Sequence, residues 1–206
     1  MHRSIASCLL LASLAAPAAA TRWQVDPVHS KLLIAVDHAG FSRSLALMPV
    51  SRGVLVYDRQ DPQAASIEVE LEPARLDFGD RRWNAAVHGS SLLAVDKYPQ
   101  ARFVSTGVTA QADGSLLIDG QLQLRGVSAP VQLLAHANGQ RRHPMPPFRQ
   151  TVGFSATASL SRAAFGADAW PTMVGDSVQI RIELEATANP QASLAPASGT
   201  DTDTDN

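Results

Sequence analysis

What this 206-residue sequence lacks narrows it first. Its single cysteine, Cys8, lies in a leader-like start, so the rest of the chain has no thiol for a disulfide, a thiolate metal site or a cysteine nucleophile. No long hydrophobic run is present: the longest apolar stretch, Ile5 to Leu14, is too short to span a bilayer. Excess charge of one sign is missing too. Seventeen Lys and Arg against 19 Asp and Glu give a net −2, or −3 once Arg3 leaves with the leader. The basic residues are scattered rather than gathered into a stripe, which excludes nucleic acid as a partner. There is no GxSxG elbow, no GxxxxGK loop, no GxGxxG, and no HxH or HExxH pair for a metal. Aromatic residues make up only 5%, so any core must be mainly aliphatic.

The start, "MHRSIASCLLLASLAAPAAA", has a basic residue, an apolar stretch and a small-x-small end at Ala18-Ala19-Ala20. That is the pattern of a cleavable signal peptide, residues 1–20, and it predicts a periplasmic protein whose mature chain begins at Thr21. The end, "NPQASLAPASGTDTDTDN", is small, polar and acidic, and reads as a disordered tail over 189–206. One domain, residues 21–188, lies between.

In that domain, apolar and polar residues alternate. "DSVQIRIELEA" places Val178, Ile180, Ile182 and Leu184 on one face and Gln179, Arg181, Glu183 and Glu185 on the other, the period of a half-buried strand. "SIEVEL", "GQLQLRG", "PVQLLA" and "VGFSATASL" repeat the pattern; "GVLVYD" and "ARFVST" are apolar on both sides. The carboxylates Glu68, Glu70 and Glu72 fall on the wet face of such a strand rather than forming a catalytic pair. Turn signals at Asp113-Gly114, Gly126, Asn138-Gly139 and Gly166 separate the runs. About eight strands with short connections predict an all-β antiparallel sandwich or barrel. Two stretches do not alternate. Residues 79–94 contain helix formers and predict a short helix or a structured connection. Residues 140–148, with three prolines, predict an exposed loop. A barrel of about eight strands either fills its interior with side chains or holds one small ligand. Ala156 and Ala158 on an inward face favour free volume, although alanines also occur in tight cores.

Two histidines flank the first apolar run, "VHSKLLIAVDHAGFSRS". Strand parity separates them. Ser30, Leu32, Ile34, Val36 and His38 share a face, His29 does not, and at about 3.3 Å per residue the rings lie roughly 30 Å apart. They cannot share one metal. His29 fits a turn cap beside Asp26. His38 is either a satisfied buried histidine or a ligand contact, and His88 either a solvated loop residue or a cover over one end of a barrel.

Several stretches, in order, resemble the YceI family of periplasmic lipid-binding proteins: "WQVDPVHSKLLIAVDHAGFS", "GVLVYD", "VHGSSLLAVDKYPQARFVST", "DGQLQLRGVSAPVQL", "GFSATASLSRAAFG" and "VGDSVQIRIELEA". The resemblance covers residues 22–187. It implies a lipocalin-like eight-stranded antiparallel barrel, with the short helical connection around residues 79–94, enclosing a long polyisoprenoid, quinone or similar amphiphilic lipid. It implies no required cofactor, no enzymatic turnover, and an amphiphilic lipid as partner, with transient membrane contact for its exchange and a monomer or a dimer both open. Two places depart from the family pattern: "SRSLALMPVSRG", residues 42–53, reads as a loop near the barrel mouth interrupted by Pro49, and "RRWNAAVH" lacks the usual acidic residue. The lining residues implied are Ile34, Val36, Tyr57, Phe103, Leu122, Leu124, Phe154, Val178 and Ile180. Polar and aromatic candidates at the mouth are His38, Arg43, Trp83, His88, Arg162 and Trp170, an arginine being suited to a phosphate or quinone head. The competing readings are an accessory enzyme using His38 or His88 on a bound quinone, and a filled barrel that binds another protein.

Overall fold

In a computed structural model, residues 20–194 are described. The leader up to residue 19, with Cys8, and the tail from residue 195 lie outside the described residues.

Ten strands run antiparallel: β1 (Thr21–Val25), β2 (Lys31–His38), β3 (Ser42–Pro49), β4 (Arg52–Tyr57), β5 (Ser66–Leu71), β6 (Ala101–Ala110), β7 (Leu116–Leu124), β8 (Val127–Arg142), β9 (Gln150–Ser161) and β10 (Val174–Ala188). They close into a barrel of eight staves because two staves are broken. The Val174–Glu183 part of β10 pairs with β2 and its Ala186–Ala188 part with β1. β1 and β2 are therefore one interrupted stave. β3 and β4 form the next, pairing with β2 and β1 respectively. From β4 the ring runs through β5, β6, β7, β8 and β9 to β10.

Three expectations are corrected here. Residues 42–49, read as mouth loop, are strand β3. Its pattern was hidden because Leu45 and Leu47 make the outer face as apolar as the inner Ala46 and Met48. Pro49 ends that strand at the break in its stave. The proline-rich loop is shorter than expected, since β8 runs to Arg142 and β9 starts at Gln150. Beyond 189 the chain keeps ordered contacts: Asn189 N–H donates to the Arg22 carbonyl, and the Arg22 guanidinium donates to the Ala192 carbonyl at 2.8 Å.

The breaks are where the barrel is most tightly packed. Ser30 is fully buried between β1 and β2; its Oγ donates to the Glu185 carbonyl (3.2 Å) and accepts the Glu185 N–H (3.1 Å). The Ser30 carbonyl accepts from Val50 N–H at the second break. Trp23, Val25, Val50, Val152 and Ala186 pack around this seam, all 2% exposed or less. Trp23 Nε1 donates to the Tyr57 carbonyl at 3.1 Å, so the largest side chain of the core leaves no polar atom unmet.

The expected helix is α1 (Arg81–His88). The Asp80 carboxylate caps it by accepting the N–H groups of Arg82 (2.9 Å) and Trp83 (3.0 Å). Asn84 ties it down, donating to Asp77 Oδ1 at 2.7 Å while accepting the Phe78 N–H. Asp77 in turn exchanges two backbone hydrogen bonds with Leu47 on the free edge of β3. The segment 73–93 thus fills the wall where β3 has no neighbouring strand.

A hollow apolar barrel as the candidate functional site

Inward-facing side chains of an ordinary core are fully buried. Here many are not. Ile67, Val69, Ile118, Leu160, Val178, Ile180 and Ile182 sit on inner faces yet keep partial exposure. They face a space inside the barrel. It has two lobes of about 130 Å³ and about 160 Å³ that share Leu32, Leu71, Leu122, Leu160 and Ile180, and so lie end to end. Tyr57, Phe103, Val108, Leu116, Ala158 and Phe154 line the first lobe. Ile34, Val36, Leu124, Val178, Phe78 and Val87 line the second, under α1. The lining is almost free of polar groups. Tyr57 and Phe154 meet edge to face at 5.0 Å in the first lobe, and burial pushes the Tyr57 hydroxyl pKa up.

All nine implied lining residues stand on these walls. Sequence reasoning missed two groups. Leu32, Ile182 and Leu184 were within reach, since they share a parity with residues already chosen. Val87, Leu92 and Leu93 come from the non-alternating segment and Phe78 from the residue just before it, where no periodicity marks the inner side.

Of the mouth candidates, only Arg162 reaches a lobe, and its guanidinium is taken up by the backbone around it. It is 8% exposed, and its guanidinium donates to four backbone carbonyls: Gly175 (2.9 Å), Val174 (2.7 Å), Ala169 (2.9 Å) and Ala167. The loop 163–174 is wrapped around it, including a left-handed turn at Gly166 (φ 70°). Arg43 has the outward parity of β3 and donates to the Gln179 side chain on the outer wall. His88 Nε2 donates to the Leu76 carbonyl at 3.0 Å, and its neighbour Val87 faces the lobe instead. His38 stands at the end of β2 with its ring 5.3 Å from Trp83. Trp83 and Trp170 are exposed. Neither His38 nor His88 lines the interior. His29 lies at the other end of the stave, its Nδ1 2.8 Å from Asp26 Oδ2, which raises the His29 pKa. Among the described residues no cluster of three His, Cys, Asp or Glu side chains is placed to hold a metal, and no helix is long and apolar enough to cross a membrane.

A family model described as the YceI-like domain matches residues 23–186. The chain belongs to the YceI-like family. A relative in Shewanella baltica (strain OS155), a UPF0312 protein, is 31% identical over 170 residues, covering 81% of this chain and 88% of the relative. A second, from Shewanella putrefaciens (strain CN-32), is 29% identical over the same length. Among solved structures, BcnA of Burkholderia cenocepacia superposes with a TM-score of 0.69 at 22% identity, over 79% of this chain and 99% of that one. A polyisoprenoid binding domain from Saccharophagus degradans, implicated in plant cell wall breakdown, superposes at 0.56 with 11% identity, over 82% and 99%. At these identities the superpositions speak to the fold. The YceI-like barrel here is closed and hollow, with an almost wholly apolar lining.

Proposed function

We propose that the protein encloses a long-chain polyisoprenoid, a quinone or a similar amphiphilic lipid and serves as its carrier or reservoir, with no catalytic step. One observation carries this reading: inner-face side chains from most of the staves keep exposed surface toward a common apolar hollow. Covering a few hundred Å² of lipid and wall at about 25 cal/mol per Å² supplies several kcal/mol before ordering costs. A narrow dry tube needs length more than specific donors. The polyisoprenoid-binding description of the Saccharophagus neighbour supports the ligand class. The leader supports export, with cleavage near Ala20 and work in the periplasm, where lipid would be exchanged with a membrane.

Native mass spectrometry of protein purified from the periplasm of its own source, followed by organic extraction, tests it. A co-purifying prenyl chain near one per protein identifies the ligand, and a mature N-terminus at Thr21 establishes processing. Protein that is free of lipid and also takes up no added prenyl lipid overturns the carrier reading.

A further inference from the structure

At the α1 end of the barrel four large apolar side chains face solvent: Phe41 (90% exposed), Trp83 (44%), Trp170 (48%) and Met173 (49%). They come from three separate segments and meet around His38. The Phe41 N–H donates to the His38 carbonyl at 3.0 Å. The Trp83 ring lies tilted against the His38 ring, and its other neighbour, Phe78 (6.2 Å), lines the second lobe. Val174 is paired with His38, the preceding Met173 carbonyl accepts from Ala39 N–H at 2.8 Å, and the Trp170 carbonyl accepts from both Met173 and Val174 N–H. Trp170 is held at φ 53°, a left-handed conformation unusual for a bulky aromatic, which turns it outward.

We propose that this rim is a membrane-docking surface, with which the protein inserts Phe41, Trp83, Trp170 and Met173 into the interface of a phospholipid bilayer. The proposal rests on the lipid-carrier reading and adds which end meets the membrane. Three arguments select a bilayer. Two tryptophans around an exposed phenylalanine are the side chains that settle at a headgroup boundary. The patch adjoins the second lobe through Phe78 and Val174, so a chain leaving the lobe there need not cross water. The four side chains expose roughly 500 Å² between them, taking 150–250 Å² for a whole aromatic side chain, below the about 800 Å² each partner gives to a standard protein interface. Charge at this end is mixed and does not select the surface. Arg43, Arg81 and Arg82 flank the rim, and among the described residues none has an ion-pair partner. Of the carboxylates at this end, Asp37, Asp77, Asp80 and Asp176 each accept backbone N–H groups; Asp168 is exposed.

The chain carries its own reporters, because Trp83 and Trp170 are on the rim while Trp23 is 1% exposed. Purified protein is mixed with phosphatidylcholine–phosphatidylglycerol vesicles free of prenyl lipid, with bromine on the acyl chains. Tryptophan emission should shift to the blue and be quenched. A Trp83→Phe/Trp170→Phe variant, left with Trp23, should bind vesicles in a flotation assay without quenching. Phe41→Ser with Met173→Ser should weaken vesicle binding about tenfold while leaving the melting temperature unchanged. Loading is followed separately with farnesol in solution, so a protein that loads but does not dock separates failure of this proposal from failure of the carrier reading. Absence of quenching, or a Phe41→Ser/Met173→Ser variant that turns a dimer into a monomer without changing vesicle binding, overturns it.

Discussion

Enlarging Ala158 to leucine separates a hollow barrel from a filled one by sign. Ala158 lies on β9, paired with Ile180 on β10 and Leu133 on β8, and faces the first lobe. The change adds three carbons inside the barrel. At about 0.8 kcal/mol for each buried methylene the upper limit is roughly 2.4 kcal/mol, and rotamer ordering of the new leucine returns about 0.5–1 kcal/mol of it. A net stabilisation of about 1–2 kcal/mol follows. For a domain of this size that raises the melting temperature by about 3–6 °C. The same carbons occupy space that lipid would use. Losing roughly 60 Å² of contact at about 25 cal/mol per Å² weakens binding about tenfold. The assay is thermal unfolding of delipidated protein by circular dichroism, with fluorescence titration by a prenyl chain. In a filled barrel the leucine would overpack and cost about 1–3 kcal/mol. A lower melting temperature with unchanged prenyl affinity refutes the reasoning.

Four further outcomes are expected. Gly120→Ala would put a methyl 2.3 Å from Phe103 Cζ and 2.7 Å from the Val104 carbonyl, driving the ring into the first lobe; it should cost about 1–3 kcal/mol in denaturant unfolding and reduce lipid capacity, whereas Gly139→Ala, with nothing within 4 Å, should be nearly neutral. Arg162→Ala should destabilise by roughly 3–5 kcal/mol, because four carbonyls lose a charged donor; normal stability with lost lipid binding would restore it as a headgroup contact. Ser30→Ala strands the Glu185 N–H at the broken stave and should cost about 1–3 kcal/mol in urea, with the melted fraction, not the affinity of the folded protein, changing. The hydrogen bond to Asp26 raises the His29 pKa above 6.5, so its small contribution to stability is complete below that pH and fades as pH rises through the folded value; an imidazole NMR titration should read a midpoint above 6.5 that falls in Asp26→Asn, and an unchanged midpoint contradicts the pairing.

Strand parity made most of this fold legible. It located β5, β7, β8, β9 and β10 and every lining residue chosen from them, because in each the outer face is mostly polar, despite Leu117 and Leu134. It failed on β3, whose outward Leu45 and Leu47 erase the contrast, and did not pick out β1, which is five residues long. The eight-stave count was right although ten strands exist, since breaks at residues 26–30 and 50–51 each leave one stave reading as two. The mouth was poorly legible for a different reason. Nothing local to "LSRAAFG" says that the Arg162 side chain turns back to collect carbonyls up to 13 residues away. Nor does alternation reveal whether a face meets a neighbour or a void, which ring closure decides.

The division between packed and hollow parts follows from opposing demands. A lipid tube must leave inner-face side chains short of partners, and each loses dispersion contacts as a result. The barrel concentrates its packing elsewhere, at the seam where two staves break. There Trp23, Val25, Val50, Val152 and Ala186 are sealed, and Ser30 carries the ladder across the gap. The break is therefore more than a flaw in the sheet. On one side of it β1 and β4 feed the sealed core, while on the other β2 and β3 border the second lobe beneath α1. Stability and binding then reside in different residues of the same strands, which is why Ser30 and Ala158 are expected to respond to substitution in opposite ways.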